Sequence, residues 1–257
     1  MSINTHKTRK VVIYLSNLIL DLQKFLRRYI SVNLVSGAIV EGLLTQINTS
    51  NATAVINSEY GINEVAIDQI ISYIILPYIY VANQDSNNVT VIDPATNAVL
   101  TTIPVDSGPF DVAITPNGQT AYVSNFFSNS ISVINISNNT LSATISPGND
   151  HPLGIAITPD GTKVYIATAG PFVVDGSAIT VINTAINTVI AKIQVPGQLS
   201  PEDIAVTPNG LQAYFTVGSN SVGGHVRVLD TTKNVLIGSP ITAGSNTYGI
   251  AITPITF

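Results

Sequence analysis

Six side chains carry most of the chemistry this sequence offers: Asp111, Asp150, His151, Glu202, Asp203 and Tyr248. Each stands in or beside one of four related segments: Gly108-Pro109-Phe110-Asp111, His151-Pro152-Leu153-Gly154, Ser200-Pro201-Glu202-Asp203 and Asn246-Thr247-Tyr248-Gly249. If these segments share a face, their carboxylates, joined by Asp175, supply the oxygen ligands that a hard cation such as Ca²⁺ takes. A metal-dependent hydrolase would use the same acids. The structural alternative is that an Asp before a strand accepts backbone N–H groups. His151 precedes a proline and has no partnered base by spacing, which suits a solvated loop histidine. His6 and His225 are too scattered in sequence to complete a zinc motif with it. Asp93, Asn135, Asn183 and Asp230 recur at strand ends and read as turn formers.

Other chemistries are excluded by what the chain lacks. It has 257 residues and no Cys, so thiolate metal sites, cysteine catalysis and disulfides are ruled out. No Gly-rich phosphate loop, nucleophile elbow or Ser/His/Asp arrangement is recognisable. A net charge of −5 argues against a nucleic-acid partner. Only 10% of residues are charged, and Asn with Thr fill about a fifth of the chain, a composition suited to turns and solvated strands. No apolar run reaches the roughly 18 residues of a membrane-spanning helix. The start, His6 to Leu15, has a basic-then-apolar order, but Ser16, Asn17 and Asp21 interrupt it, so no cleaved signal is expected.

Two segments must position these groups. Residues 1–76 hold no proline, six Lys and Arg and five acids; residues 77–257 hold all 14 prolines, four Lys and Arg and ten acids. In the first segment Val11, Leu15, Leu18, Leu22, Phe25 and Tyr29 alternate spacings of four and three, predicting an amphipathic helix with Thr8 as N-cap and Arg27-Arg28 at its C-terminal end. Five strand patterns follow at Ser31–Val35, Ala38–Ile47, Thr53–Asn57, Asn63–Ile67 and Ile70–Ile75, with Gly42 placed to bend the second.

The second segment repeats itself. Ala-Ile-Thr-Pro occurs at Ala113–Pro116, Ala156–Pro159 and Ala251–Pro254, with Ala205-Val206-Thr207-Pro208 between. Asn117-Gly118, Asp160-Gly161 and Asn209-Gly210 follow as hairpin turns. Tyrosine strands come next, at Tyr122, Tyr165 and Tyr214, with Tyr80 opening the series; two further strands close each copy. One such sheet cannot bury both faces, so copies must stack, and radial stacking of four-stranded sheets makes a β-propeller. The copies run 77–118, 119–161, 162–210 and 211–257. The first lacks the Ala-Ile-Thr-Pro strand and the chain carries a spare at Gly249–Pro254, so the expectation is a closed ring of four blades. An open arc, a dimer pooling blades and a shortened relative of a larger propeller are the alternatives.

Two resemblances follow from these residues. Tyr80-Val81-Ala82-Asn83 and Tyr122-Val123-Ser124-Asn125 make residues 77–257 resemble the YVTN-type β-propeller repeat. The third copy departs to Tyr165-Ile166-Ala167-Thr168 and the fourth to Tyr214-Phe215-Thr216-Val217. The pattern Val32-x-x-x-Ser36-Gly37-x-x-x-x-Gly42-x-Leu44 makes residues of about 18–76 resemble the Sm-like small barrels of spore-forming bacteria. The implied fold is mainly β: a helix with a five-stranded Sm-like barrel, then four four-stranded blades. Sm-like RNA binding is not implied, because Gln46-Ile47-Asn48-Thr49-Ser50 and Ile67-Asp68-Gln69 lack the aspartate, aromatic and Arg-Gly that it needs. The resemblances imply a non-enzymatic surface or spore scaffold that presents a propeller for protein or glycan contact and oligomerises through residues 1–76. No cofactor is implied beyond Ca²⁺ on the acidic face. Similar propellers that are lactonases or cyclases keep a lactonase-like hydrolase as the rival.

Overall fold

The computed structural model describes residues 29–34, 39–48, 53–58, 61–66, 70–75, 78–94, 96–148, 150–170, 177–197, 200–218 and 223–253. They fall into two compact units. The first runs to Ile79 and includes Ile92–Val99; the second holds Tyr80–Val91 and continues from Leu100. Every regular element among the described residues is a strand.

Five strands precede the repeats: β1 (Tyr29–Leu34), β2 (Ile39–Asn48), β3 (Thr53–Ser58), β4 (Gly61–Ala66) and β5 (Ile70–Ile75). They form one antiparallel sheet in the order β4-β3-β2-β1-β5, so β1 pairs with both its sequence neighbour and the last strand. The expected bend in β2 falls just after Gly42, where the β2–β3 register shifts between Leu44 and Gln46. A bulge of this kind turns a strand without losing the ladder on either side. The expected helix lies outside the described residues except for its last member. Tyr29 opens β1 opposite Leu43, so the helical spacing overran into a strand.

The repeats form four antiparallel sheets. The first has three strands: β6 (Ile79–Asn83), β7 (Asn88–Asp93) and β8 (Ala98–Pro104). The second is β9 (Pro109–Ile114), β10 (Thr120–Asn125), β11 (Ser130–Asn135) and β12 (Thr140–Ile145). The third is β13 (His151–Ile157), β14 (Lys163–Ala169), β15 (Ala178–Asn183) and β16 (Thr188–Gln194). The fourth is β17 (Ser200–Val206), β18 (Gln212–Gly218), β19 (His225–Asp230) and β20 (Val235–Thr242).

Among the described residues the closed ring expected from the spare strand is not found. Residues 243–253 join no sheet, and β6 ends its sheet with β7 as its partner. Ile250 N–H instead donates to Asp203 Oδ2 at 2.9 Å, which holds the spare segment beside β17.

Sequence explains the hairpins that join the first two strands of the complete sheets. In the second sheet Gly118 N–H donates to Thr115 O, and the Thr115 hydroxyl donates to Asn117 Oδ1 at 2.7 Å. Thr158 with Asp160 and Thr207 with Asn209 repeat the arrangement. The positive φ belongs to the glycine alone, at 67° for Gly118 and 72° for Gly161 and Gly210. The preceding Asn or Asp is therefore a side-chain acceptor, in contrast to an Asn-Gly turn with both φ angles positive. The later turn between third and fourth strands uses another device: Asn97, Asn139, Asn187 and Asn234 all adopt φ between 50° and 55°.

The sheets stack face to face around alternating side chains. Tyr122, Ile131, Val133 and Ile145 meet Ile155, Val164, Ile166 and Ile182 between the second and third sheets. Tyr165, Ile179 and Val181 meet Ile204, Phe215, Val217 and Leu229 between the third and fourth. Each fully buried residue of this size stabilises the fold by about 1.5–3 kcal/mol. Tyrosine serves here because its ring is apolar while its hydroxyl reaches the next sheet. Tyr80, Tyr122 and Tyr165 donate to Asn139, Asn187 and Asn234 Oδ1 respectively, at 2.7, 2.6 and 2.7 Å. Burial, with the charges of Asp160 and Asp230 adding, pushes the Tyr165 phenol up to about 12.

Candidate functional site

Two of the acids expected to converge, Asp111 and Asp203, are placed by strands β9 and β17, and the structure gives each a backbone role. Asp111 accepts Val112 N–H at 2.8 Å and, across the sheets, Ile155 N–H at 3.0 Å. Asp203 repeats this with Ile204 and Ile250 at 2.8 and 2.9 Å. Their own N–H groups donate to Ser124 Oγ and Thr216 Oγ1, both at 3.1 Å. Burial raises the Asp111 carboxyl above its usual range, the Ile155 and Val112 donors pull it back, and the charge of Asp203 raises it again. Gly154 and Gly249 occupy the matching positions in the second and last copies. A Cβ at Gly154 would overlap Asp203 of the following sheet, so glycine at this position gives Asp203 its room.

The other predicted residues separate. Asp150, buried before β13, pairs with Lys192 Nζ on β16, the outermost strand of its sheet, at 2.7 Å. Glu202 is half-buried, and burial raises its carboxyl while a hydrogen bond with the Ser200 side chain opposes that. Tyr248 is exposed, and its carbonyl accepts the Thr216 hydroxyl at 2.5 Å. Asp175 lies outside the described residues. Among the described residues no group of three or more His, Asp or Glu is arranged to hold a metal ion. Asn135, Asn183 and Asp230 accept N–H groups two residues on, at 2.9 Å each.

His151 leads to a feature that residue chemistry alone did not single out. Its ring stacks on Phe126 with centroids 4.7 Å apart and an interplanar angle of 22°, and Nδ1 lies 3.0 Å from Phe126 O. Phe127 meets Phe126 edge-on at 5.3 Å, and Phe110 tilts against Phe126 at 6.5 Å. Phe110 is 49% and Phe127 59% exposed, large values for packed aromatics. The turn that carries them is fixed. Phe126 N–H donates to Gly108 O at 2.7 Å, and Ser128 N–H donates to Ser107 O at 3.1 Å. Gly108 has φ of 71°, and the Phe127 ring covers the space a Cβ would need. Nearby, Ser130 Oγ donates to Asp106 Oδ2 at 2.6 Å, and Asn125 Nδ2 donates to Ser130 and Ser132 Oγ at 3.1 and 2.9 Å. The sequence held a signal for this cluster: Phe126-Phe127 stand where the first copy has Gln84-Asp85.

Stacked antiparallel sheets of a repeated tyrosine-strand unit, with a rigid aromatic turn on one of them, define a propeller-like β fold carrying a candidate contact surface. No family model matches the sequence, and no curated protein matches it. Among solved structures the chain is similar to Kuenenia stuttgartiensis hydrazine synthase, with a TM-score of 0.61 and 29% identity, covering 66% of this chain and 47% of that one. It is also similar to U3-55K, with a TM-score of 0.51 and 16% identity over 62% of this chain and 47% of that one; this likeness shows the fold alone. The chain thus spans about half the length of either structure.

Proposed function

We propose that this chain is a non-enzymatic binding protein whose repeat unit presents the Phe110–Phe126–Phe127–His151 cluster to a protein or glycan partner. The carrying observation is that two phenylalanines stay half exposed while hydrogen bonds and ring contacts fix their turn. Exposed aromatics held in place cost little entropy to bury and suit the apolar faces of sugars or a partner's side chains. On this reading the repeats are YVTN-type blades, and the β4-β3-β2-β1-β5 sheet is an Sm-like small barrel acting as an oligomerising anchor at a bacterial spore or cell surface. The resemblances in sequence support those finer assignments. The hydrazine synthase likeness supports the sheet architecture, and its activity is not carried over.

The lactonase-like alternative with Ca²⁺ on the acidic face has less support. Asp111 and Asp203 each accept two N–H groups, and Asp150 is paired with Lys192. A metal would have to displace those partners. The test is a glycan array and a surface-extract pull-down with the wild-type chain and a Phe110→Ser/Phe127→Ser variant, whose fold is checked by circular dichroism. Binding that the double variant loses supports the reading. Binding unchanged in the variant, or calorimetric Ca²⁺ binding lost in Asp111→Asn, contradicts it.

A further inference from the structure

Asparagine followed by glycine is the pair most prone to lose its side-chain amide, because no Cβ on the second residue obstructs attack by its nitrogen. In that reaction the glycine nitrogen bonds to the asparagine Cγ. The Cγ–Nδ2 bond breaks, and ammonia leaves with the former N–H proton. Water then opens the succinimide ring at one carbonyl or the other, giving aspartate or isoaspartate. The chain holds two such pairs, Asn117-Gly118 and Asn209-Gly210, in the turns that join the first two strands of the second and fourth sheets. Both asparagines are exposed to water. The third sheet carries Asp160-Gly161 at the same place.

In both turns the reacting groups are already engaged. Gly118 N–H donates to Thr115 O and Gly210 N–H to Thr207 O, each at 2.8 Å. Asn117 Oδ1 accepts the Thr115 hydroxyl at 2.7 Å and Gln119 N–H at 3.1 Å. Asn209 Oδ1 accepts the Thr207 hydroxyl at 2.7 Å and Leu211 N–H at 3.0 Å. Attack needs the glycine nitrogen deprotonated and the carboxamide carbon swung over it, so these bonds must open first. Asp160 shows that an aspartate fits the turn. Its Oδ1 accepts the Thr158 hydroxyl, Thr162 N–H and the Thr162 hydroxyl at 2.6, 3.0 and 2.9 Å. An isoaspartate would add a backbone carbon before the glycine and displace its N–H from the threonine acceptor.

The two turns are braced differently. The Thr231 hydroxyl donates to Gly210 O, as the Thr184 hydroxyl does to Gly161 O at 2.7 Å. Ile136 holds this position in the second sheet: its N–H donates to Gln119 O as Thr231 N–H does to Leu211 O, but its side chain has no donor. Pro159 also flanks Gly210, 3.3 Å from where a Cβ would stand, while nothing lies within 4 Å of that point on Gly118.

We infer that Asn117 and Asn209 are deamidation sites held shut by the native turn, and that Asn117 is the first to react. The full chain is incubated at mildly alkaline pH, folded in buffer and unfolded in guanidinium chloride. Mass spectrometry of chymotryptic peptides reads the loss of amide at each site. Both sites should react at least about 10-fold more slowly in the folded chain, since several hydrogen bonds must open for attack. Equal rates in the two states overturn the inference. Within the folded chain Asn117 should react about 3- to 10-fold faster than Asn209, the worth of roughly one hydrogen bond. Equal rates at the two sites, or the reverse order, overturn the difference in bracing. Thr231→Val places an apolar β-branched residue there, as Ile136 does in the second sheet. It should bring Asn209 up to the rate of Asn117 and leave Asn117 unchanged. No change at Asn209, or an equal rise at both sites, overturns the role given to the Thr231 hydroxyl.

Discussion

β14 and β18 are copies of one strand in different surroundings. In β14, Tyr165 is fully buried, its single hydroxyl proton donates to Asn234 Oδ1 at 2.7 Å with Thr231 O sharing it at 3.0 Å, and the ring lies under the fourth sheet. In β18, Phe215 and Val217 are equally buried against the third sheet, while Tyr214 on the opposite face is half-buried and bonds within its strand. The same pattern of residues therefore yields a two-sided core position in one copy and a one-sided position in the next. Burial is set by whether another sheet packs on the strand's face.

The largest effect that would sharpen this contrast is truncation of the two tyrosines. Tyr165→Ala should cost about 3–5 kcal/mol in urea unfolding, by analogy with other buried aromatics. Tyr214→Ala should cost less than half as much. Equal costs would break the comparison. Next come the glycines. Gly154→Ala drives a methyl group into Asp203 and should cost about 1–3 kcal/mol, while Gly244→Ala, with nothing within 4 Å of the added carbon, should stay within about 0.5 kcal/mol. Smaller again is removal of the hydroxyls. Tyr165→Phe should lose about 1–2 kcal/mol, and Tyr214→Phe about 0.5 kcal/mol or less.

The smallest effect is in pH. Hydrogen bonds from the Thr158 hydroxyl and the Thr162 N–H lower the Asp160 carboxyl below 3.8. Its contribution is therefore present above 3.8 and lost as pH falls through the lowered value. Asp111, raised by burial, has the opposite sign: protonation favours the fold below 3.8, and that advantage disappears as pH rises through its raised value. NMR titration of the two side chains should find Asp111 protonating at a higher pH than Asp160. The reverse order would contradict the burial assigned to β9.

Much of this was legible beforehand. Four tyrosine strands, their turns and the missing innermost strand of the first copy follow from Ala-Ile-Thr-Pro, Asn-Gly and Tyr spacing, because local pattern and tertiary packing agree there. The roles of Asp111 and Asp203 were half legible. Position before a strand pointed to backbone capping, but the bond to the neighbouring sheet depends on stacking distance, which no spacing reveals. Ring closure was misread. Sequence shows that a strand is spare, and says nothing of Asp203 holding Ile250 beside β17. The aromatic turn was missed because attention to titratable groups passes over Phe126-Phe127, whose signal is a departure from the polar residues of the first copy. Tyr29 fitted the helical spacing of its predecessors and is nevertheless the first residue of β1, since periodicity marks a face more reliably than an end.

Residue-resolved amide hydrogen exchange tests the central contrast most directly. β10, β11, β14 and β15, covered on both faces, should exchange slowest and as one cooperative unit, with β6 and β20 exchanging much faster. Protection of β6 and β20 equal to that of β14 would contradict the account.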